Sequence, residues 1–401
     1  RVFGLISNQV LIAIPLFVLM GAVLEKSRIA EELLDTMGRL FGQLRGGLGI
    51  SVVLVGALLA ASTGIVGATV VAMGMIALPT MLRSGYDPRV ASGIVCTAGT
   101  LGQIIPPSTL LIILADVMSN AFQQAQYEQG KFSVEALSVG QFFAAALIPG
   151  LTLVVLYLFY ILVHGLIRPG GVATPTEAAS VGAIGALLMA GMRIGKSPRI
   201  ILWGAAALIC LGILAGLFPV RLQRNDLGIG SLSAGGLYIV LTIIGAVAIL
   251  TALRATFRTK TLHAAVDSTL TMTAMIFATI LAAGMFSLVF IGLGGEERVA
   301  HILANMPGGP AGALLFCMAF VFVLGFFLDF VEISVIVLPL IAPPLIMMGH
   351  DPIWLGVLLA INLQTSFLTP PFGFSLFYLR GAAPPEVTTG QIYAGVVPFI
   401  G

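Results

Sequence analysis

The sequence predicts an all-α polytopic membrane protein built as an inverted structural repeat, with two re-entrant helical hairpins and two discontinuous helices. Three observations predict this fold class: a composition too apolar to cover a water-facing surface, apolar stretches of membrane-crossing length, and one set of turn motifs occurring twice at one spacing. Of the 401 residues, 58% are hydrophobic and only 9% charged, and mean hydropathy is +1.08. A soluble domain carries about 25% charged residues. Crossing the hydrocarbon takes about 17–25 mostly apolar helical residues, and segments 8–24, 50–82, 90–118, 141–167, 200–219, 232–253, 264–293, 311–348 and 353–379 are candidates. The formal net charge of +2 comes with no basic patch outside short loops, which argues against nucleic acid as a partner. Cys96, Cys210 and Cys317 stand far apart inside apolar spans and are expected to be small buried hydrophobes. No metal or prosthetic cofactor is expected.

The repeat is read from its landmarks. Gly85-Tyr86-Asp87-Pro88 recurs as Gly349-His350-Asp351-Pro352, Pro106-Pro107 as Pro370-Pro371, and Pro79 as Pro343, all at an offset of 264 (349 against 85). Short cytoplasmic loops are enriched in Lys and Arg. The first turn is flanked by Arg83 and Arg89, whereas no Lys or Arg occurs from Pro307 through Leu379. The first turn is therefore expected inside and the second outside, which makes the copies inverted. Inverted repeats with interrupted helices in matching positions point to a secondary transporter with a midplane site.

Each stretch before a turn starts and ends on one side, is too long for a single crossing, and has a polar or Gly-rich centre: Ala61 to Thr69 in one, Gly325 to Ser334 in the other. A re-entrant hairpin accounts for both, because bare backbone at such depth survives only in a protein-lined or wet cavity. The partner of each hairpin is a helix interrupted at the double proline, since Pro lacks the amide hydrogen and disfavours helix in the residue before it. About one turn should unwind, freeing carbonyls that, with Ser, Thr and Asn oxygens, suit a dehydrated alkali cation. The half-helix N-termini can hold a carboxylate. Gly, Ser and Thr also simply let membrane helices pack closely, and prolines kink many of them; four such motifs paired across the repeat favour a binding site.

Asp329 and Glu332 lie at the second hairpin's expected tip, three residues apart and so on one helix face; either can ligand a cation, relay a proton or serve as a cap. Asp116 and Asp267 are placed nearer helix ends. Residues 25–45 carry an apolar stripe at helical period and suit a helix lying in the interface; Glu296 to Met306 is its counterpart, each an arm bracing a hairpin. Enzymatic motifs such as H-E-x-x-H, G-x-S-x-G and the P-loop are absent from the sequence, and Gly46 to Gly49 reads as a flexible hairpin entry, so no enzyme is expected.

The residues Ser62-Thr63-Gly64-Ile65-Val66-Gly67-Ala68-Thr69, Gly85-Tyr86-Asp87-Pro88, Gly99 through Ser108, Ala173-Thr-Pro-Thr-Glu-Ala-Ala179 and Phe367 through Gly373 resemble the large M subunit of tripartite ATP-independent periplasmic (TRAP) transporters, over nearly the whole chain. The resemblance implies a bacterial inner-membrane location, an elevator mechanism, sodium as coupling ion, a small four-helix Q subunit, and a periplasmic substrate-binding protein delivering a small organic acid such as a dicarboxylate or sialic acid. Residues 1–168 then form the first repeat (arm 27–44, hairpin 46–82, broken helix 89–118). Residues 169–260 are connecting scaffold with an extra two-helix insertion at 200–253, and 261–401 the second repeat (arm 296–306, hairpin 309–348, broken helix 352–379). Sodium ligands are expected from Ser62, Gly64, Gly67, Gly99 and Thr100 in one half and Gly325, Asp329, Asn362, Thr365 and Thr369 in the other. The substrate carboxylate is expected between the tips, near Thr63, Gln103, Pro106, Pro107, Ser108, Gln364, Ser366, Pro370 and Pro371.

Two departures accompany the resemblance. The 200–253 insertion marks a longer subtype. Counting crossings leaves one missing between Arg168 and Ala173, where a segment is expected to have been lost. Further helices are also expected beyond both ends. A transporter of the same architecture working without a binding protein, coupled to sodium or protons, is the alternative reading, with a channel the more distant one.

Overall fold

The computed structural model describes residues 11, 13–27, 29, 36–37, 47–63, 66–106, 108–131, 133–162, 175–195, 197–217 and 229–400. Among them every regular element is helical. In chain order these are α1 (Ala13–Lys26), α2 (Gly47–Thr63), α3 (Val66–Arg83), α4 (Pro88–Thr100), a 3-10 turn (Leu101–Gln103), α5 (Thr109–Glu128), α6 (Val139–Leu162), α7 (Pro175–Ile194), α8 (Pro198–Leu217), α9 (Ile229–Arg258), α10 (Thr261–Gly292), α11 (Gly295–Ala304), α12 (Gly309–Leu324), α13 (Phe330–Met347), α14 (Pro352–Leu368), α15 (Phe374–Ala382) and α16 (Thr389–Ile400).

Helices α2–α3 and α12–α13 are two helical hairpins, and each is followed by a Gly-x-Asp-Pro corner that starts an interrupted helix. The corner residues have separate jobs. Gly85 and Gly349 adopt φ +83° and +98°, the left-handed conformation that closes a helix and that glycine takes without a Cβ penalty. Asp87 and Asp351 then accept a backbone N–H at 2.7 Å, from Arg89 and Trp354, and Pro88 and Pro352 open the next helix, where their missing N–H costs nothing. The residue between Gly and Asp ties each corner to the start of its own hairpin. Tyr86 Oη accepts from Gly49 N at 3.0 Å, and His350 Nε2 lies 3.2 Å from Pro310 O.

The two hairpins use their neighbours reciprocally. In the first, α2 packs on α4 and α3 on both α4 and α15; in the second, α12 packs on α14 and α13 on α5. Each hairpin thus leans one arm on the first half of its own interrupted helix and the other on the second half of the other. The pattern continues outward, with α16 on α4, α6 on α14, and α1 against α10. Helices α6 and α16 start at 139 and 389, so the offset falls from 264 to 250 past the breaks, where α5 and its following loop are the longer.

Among the described residues four helices, Val139–Leu158, Gly235–Arg258, Thr261–Gly292 and the hairpin arm Phe330–Met347, are long and apolar enough to cross a membrane, while the other three hairpin arms and the first half of the second broken helix are shorter apolar helices. The shortness follows from the architecture, because each such piece needs to reach only part of the way. Lipid offers no hydrophobic force between helices, so close packing rests on small residues: Gly93 against Gly395 where α4 crosses α16, and Gly204 against Ala248 and Gly191 against Ala252 in α7–α9. Helices α8 and α9 pack on each other and on α7 and turn large apolar side chains such as Trp203 outward.

Several expectations are corrected. The first broken helix runs to Glu128 rather than 118 and the second to Ala382 rather than 379, because Ser119 to Glu128 is polar but helix-favouring and hydropathy alone misses it. Asp116 therefore lies in the interior of α5. Gly47 to Gly49 are helical, not a flexible entry. Cys96 and Cys317 are buried, but Cys210 is exposed, since α8 is peripheral. The second hairpin's arm carries a π-helical turn, Ile333–Val337, that the first lacks. Apart from Ser27, Ile29, Thr36 and Met37, the arm at 27–44 lies outside the described residues, as does the expected lost segment between Arg168 and Ala173. The second arm is α11.

Candidate functional site

The two breaks open differently from what the prolines alone dictate. In the first, the α-helix stops at Thr100, six residues before Pro106, passes through the 3-10 turn, and resumes only at Thr109. Gly102 explains the early stop: it lies flush on the first hairpin, where a methyl group would come within 2.2 Å of Ala60's carbonyl carbon. The second break is shorter, from Thr369 to Gly373. Its hairpin contact has glycine on the opposite partner, because a methyl on Gly325 would lie 2.1 Å from Ser366 Oγ. Ser366 stands 264 residues after Gly102. The same hairpin-to-break contact is thus made twice, with glycine on the broken helix in one half and on the hairpin tip in the other.

Ser108 caps α5. Its Oγ donates to Gln103 O at 2.6 Å across the break and accepts from Leu111 N at 3.3 Å. That hydroxyl ties the two sides of the break together. Replacing Ser108 by alanine is expected to cost about 1 kcal/mol, read as a lower melting temperature of the purified protein, and to lower uptake with it.

In the second half, Thr365 Oγ1 donates to Ile361 O at 2.9 Å, Thr369 Oγ1 to Thr365 O at 2.8 Å, and Ser366 Oγ to Leu363 O at 2.9 Å. In the first, Thr100 Oγ1 donates to Thr97 O at 3.0 Å. A hydroxyl that gives its proton to its own helix keeps its lone pairs for a cation. Asn362 Nδ2 donates to Met318 O at 2.9 Å, holding α14 to α12 with its amide oxygen left as an acceptor. Ser62 and Thr63 stand in the last turn of α2, but their side chains, Gly64 and Pro107 lie outside the described residues. Gly67 and Gly99 belong to the first hairpin's packing: a methyl on Gly99 would meet Val70 Cγ2 at 2.3 Å. Pro106 is half-buried and Pro371 exposed beside half-buried Pro370.

Asp329 is not on a helix face with Glu332. It is extended (φ −71°, ψ 163°) and caps α13 through Phe330 N at 2.7 Å, while Glu332 lies within α13 with Oε2 shut off from solvent and without a hydrogen-bond partner. Buried polar atoms without partners also gather around the breaks: both amide atoms of Gln103, Gln364 Oε1, and the hydroxyls of Thr97 and Thr109. Natural interiors rarely leave such groups unsatisfied, so they mark places for water or an ion. Gln364 Nε2 does reach Tyr157 Oη on α6, at 3.5 Å.

Sequence reasoning missed Tyr378. It stands on α15 with 36% of its surface exposed. A methyl on Gly67 would lie 2.7 Å from Tyr378 Cζ, so the ring rests directly on the first hairpin just past its tip. Nearby, Phe327 of the second tip meets Phe372 of the second break, with ring centres 5.5 Å apart. Four segments carry this site, 60–69, 97–109, 325–334 and 362–378, and none contains Lys, Arg or His.

Helical hairpins seated against interrupted helices, inside a shell of long apolar helices, define an integral membrane protein of the transporter class. The chain belongs to the DctM component family of tripartite ATP-independent periplasmic transporters, whose family model matches residues 1–401. It is 28% identical over 378 residues to the C4-dicarboxylate TRAP transporter large permease protein DctM of Pseudomonas aeruginosa, covering 94% of this chain and 78% of that one. It is 26% identical over 371 residues to the ectoine TRAP transporter large permease protein TeaC of Halomonas elongata, covering 92% and 76%. In fold it is similar to the crystal structure of the Alcanivorax borkumensis YdaH transporter, with a TM-score of 0.59 at 16% identity, covering 96% of this chain and 81% of that one.

Proposed function

We propose that this chain is the large permease of a sodium-driven importer in the bacterial inner membrane. A periplasmic binding protein hands it a small organic acid, and it works beside a small four-helix Q subunit. The hairpins and breaks move as an elevator against the outer helices. The observation that carries this reading is the reciprocal seating of two hairpin tips against two helix breaks, lined with carbonyls, hydroxyls and two carboxylates but no basic side chain. Those are hard oxygen donors suited to an alkali cation, and the free N-terminus of α15 at the second break suits the solute's carboxylate. The packing directions support opposed halves. Gly67 meets Tyr378 and Gly74 meets Leu379 and Ala382, so α3 and α15 run the same way, and Arg380 stands in the last turn of α15 as Arg83 does in that of α3. The two relatives carry different solutes by name, a dicarboxylate and ectoine, so the solute follows from the ligand of the binding protein encoded beside this chain.

The test is uptake of that ligand into proteoliposomes holding the full-length permease and its membrane partner. An inward sodium gradient with binding protein present is expected to drive accumulation, and a potassium gradient is not. Thr365→Ala is expected to raise the sodium concentration for half-maximal uptake about 2- to 10-fold, the range for losing one neutral oxygen ligand. Equal uptake with potassium would remove sodium from the mechanism; accumulation without any binding protein would favour the alternative of a transporter of the same architecture that works without one.

A further inference from the structure

Helix α16 begins as a copy of α6. Ser138 N donates to Gln141 Oε1 at 2.9 Å and Gln141 N to Ser138 Oγ at 3.2 Å. Thr388 N donates to Gln391 Oε1 at 2.8 Å and Gln391 N to Thr388 Oγ1 at 3.3 Å. These are two capping boxes of one geometry, and they set the register of the repeat past the breaks at 250 (388 against 138). In that register Tyr393 stands where the first half has Phe143. Both rings pack against the core, so packing alone asks for no hydroxyl at this position. Tyr393 has one, and it donates to Pro371 O at 2.7 Å, the usual length of a good O–H···O bond. Pro371 lies in the second break, where two prolines supply no amide donors. The other bonds there join the break to its own flanks: Ser375 Oγ donates to Phe367 O at 2.7 Å and Gly373 N to Thr369 O at 3.1 Å. The phenol instead joins it to another helix. Helix α4 backs both partners, since Cys96 Sγ donates to Ser375 O at 3.7 Å and α16 packs on α4. Tyr393 to Pro371 is thus the third side of a triangle formed by α4, α15 and α16.

We propose that Tyr393 is a positioning residue for the solute: its phenol fastens the second break to α16 and so fixes where the N-terminus of α15 stands. This rests on the reading that the solute's carboxylate is held at that N-terminus, and it names the residue that sets the terminus in place. Gly373 starts α15 with no side-chain cap, which leaves the first-turn amides to the solute. Pro371 is three residues before Phe374, the first residue of α15, so a shift of its carbonyl carries straight to those amides. The influence of a helix end falls off within its first turn, so a displaced start weakens the hold on a carboxylate. The expected cation donors Asn362 and Thr365 lie on α14, before the break, on the side the phenol does not hold. Tyr393→Phe makes α16 like α6 at this position, keeps the ring in the core and deletes only the bond to Pro371.

Hydrogen–deuterium exchange of the full-length permease in lipid nanodiscs reads the tie directly. In the peptide covering residues 367–380, Tyr393→Phe is expected to speed exchange about 2- to 10-fold, the range for losing one neutral hydrogen bond, with the peptides of α2 and α12 unchanged. Solute binding is read on the same protein as thermal stabilisation at saturating sodium. The solute is the one released from the purified binding protein encoded beside this chain and identified by mass spectrometry. Its half-effect concentration is expected to rise by the same factor in Tyr393→Phe, while the midpoint of a sodium titration stays at the wild-type value. Tyr127→Phe, which alters a phenol 66% exposed on α5, is the control and is expected to change none of these. Unchanged exchange at 367–380 overturns the proposal. So does a sodium midpoint that moves as far as the solute's, since the phenol would then be general support for the fold. Faster exchange with an unmoved solute midpoint, or with no stabilisation by the solute at all, leaves the tie standing and overturns the placing of the carboxylate at α15.

Discussion

Replacing Gly102 by valine is expected to abolish transport and to lower the melting temperature more than any other single change considered for the site. A Cβ there meets three atoms of Ala60 at 2.2, 2.3 and 2.4 Å, two of them backbone, so no side chain can swing aside to make room. Overpacking a tight contact costs about 1–3 kcal/mol and sometimes more, and here the strain falls where the hairpin meets the break. Gly284→Val on α10 is the control, because no atom outside its own helix stands within 4 Å of a Cβ at that position. Melting of the two purified variants side by side checks the prediction; similar losses in both would mean that the hairpin seat is not special.

The second large effect is expected at Asp329. Asparagine caps a helix as well as aspartate does, so Asp329→Asn keeps the start of α13 and removes only the charge. Under the proposed function, sodium affinity is expected to fall on the order of 10- to 100-fold, the range for losing an interaction with a charged group, with little change in stability without sodium. Isothermal titration with sodium chloride against potassium chloride reads the affinity directly. If the variant binds sodium like the wild type, Asp329 is a cap and nothing more.

Much of the architecture was legible in the sequence because its cues are local. Gly349-His350-Asp351-Pro352 states a helix end, a cap and a helix start within four residues, and its copy at 85–88 announces that the unit occurs twice. The helix breaks are legible for the same reason, since Pro370-Pro371 removes donors wherever it stands. Less legible was where each break begins. The first helix gives up its α geometry at Leu101, ahead of Pro106, because Gly102 faces α2, and that contact is between residues 42 apart in the chain (102 against 60). Asp329 looked like a helical residue three before Glu332, but the turn at the second tip holds it in extended backbone, where it becomes a cap. Ser108 was expected beside the substrate; the structure shows its hydroxyl bridging the break from Gln103 O to Leu111 N.

By itself, the sequence determined the class of protein, the hairpins, the interrupted helices and the segments that meet at the site, since apolar length, backbone-breaking residues and capping chemistry act within a few residues of themselves. Only the tertiary structure decided which arm leans on which half-helix, that Gly102 and Gly325 perform one contact from opposite sides, and that Tyr378 rests on the first hairpin at Gly67. Those outcomes depend on helices distant in the chain approaching until side chains are excluded. In a membrane, with no hydrophobic force to pull helices together, that closeness is set by the fit of whole surfaces rather than by any local pattern.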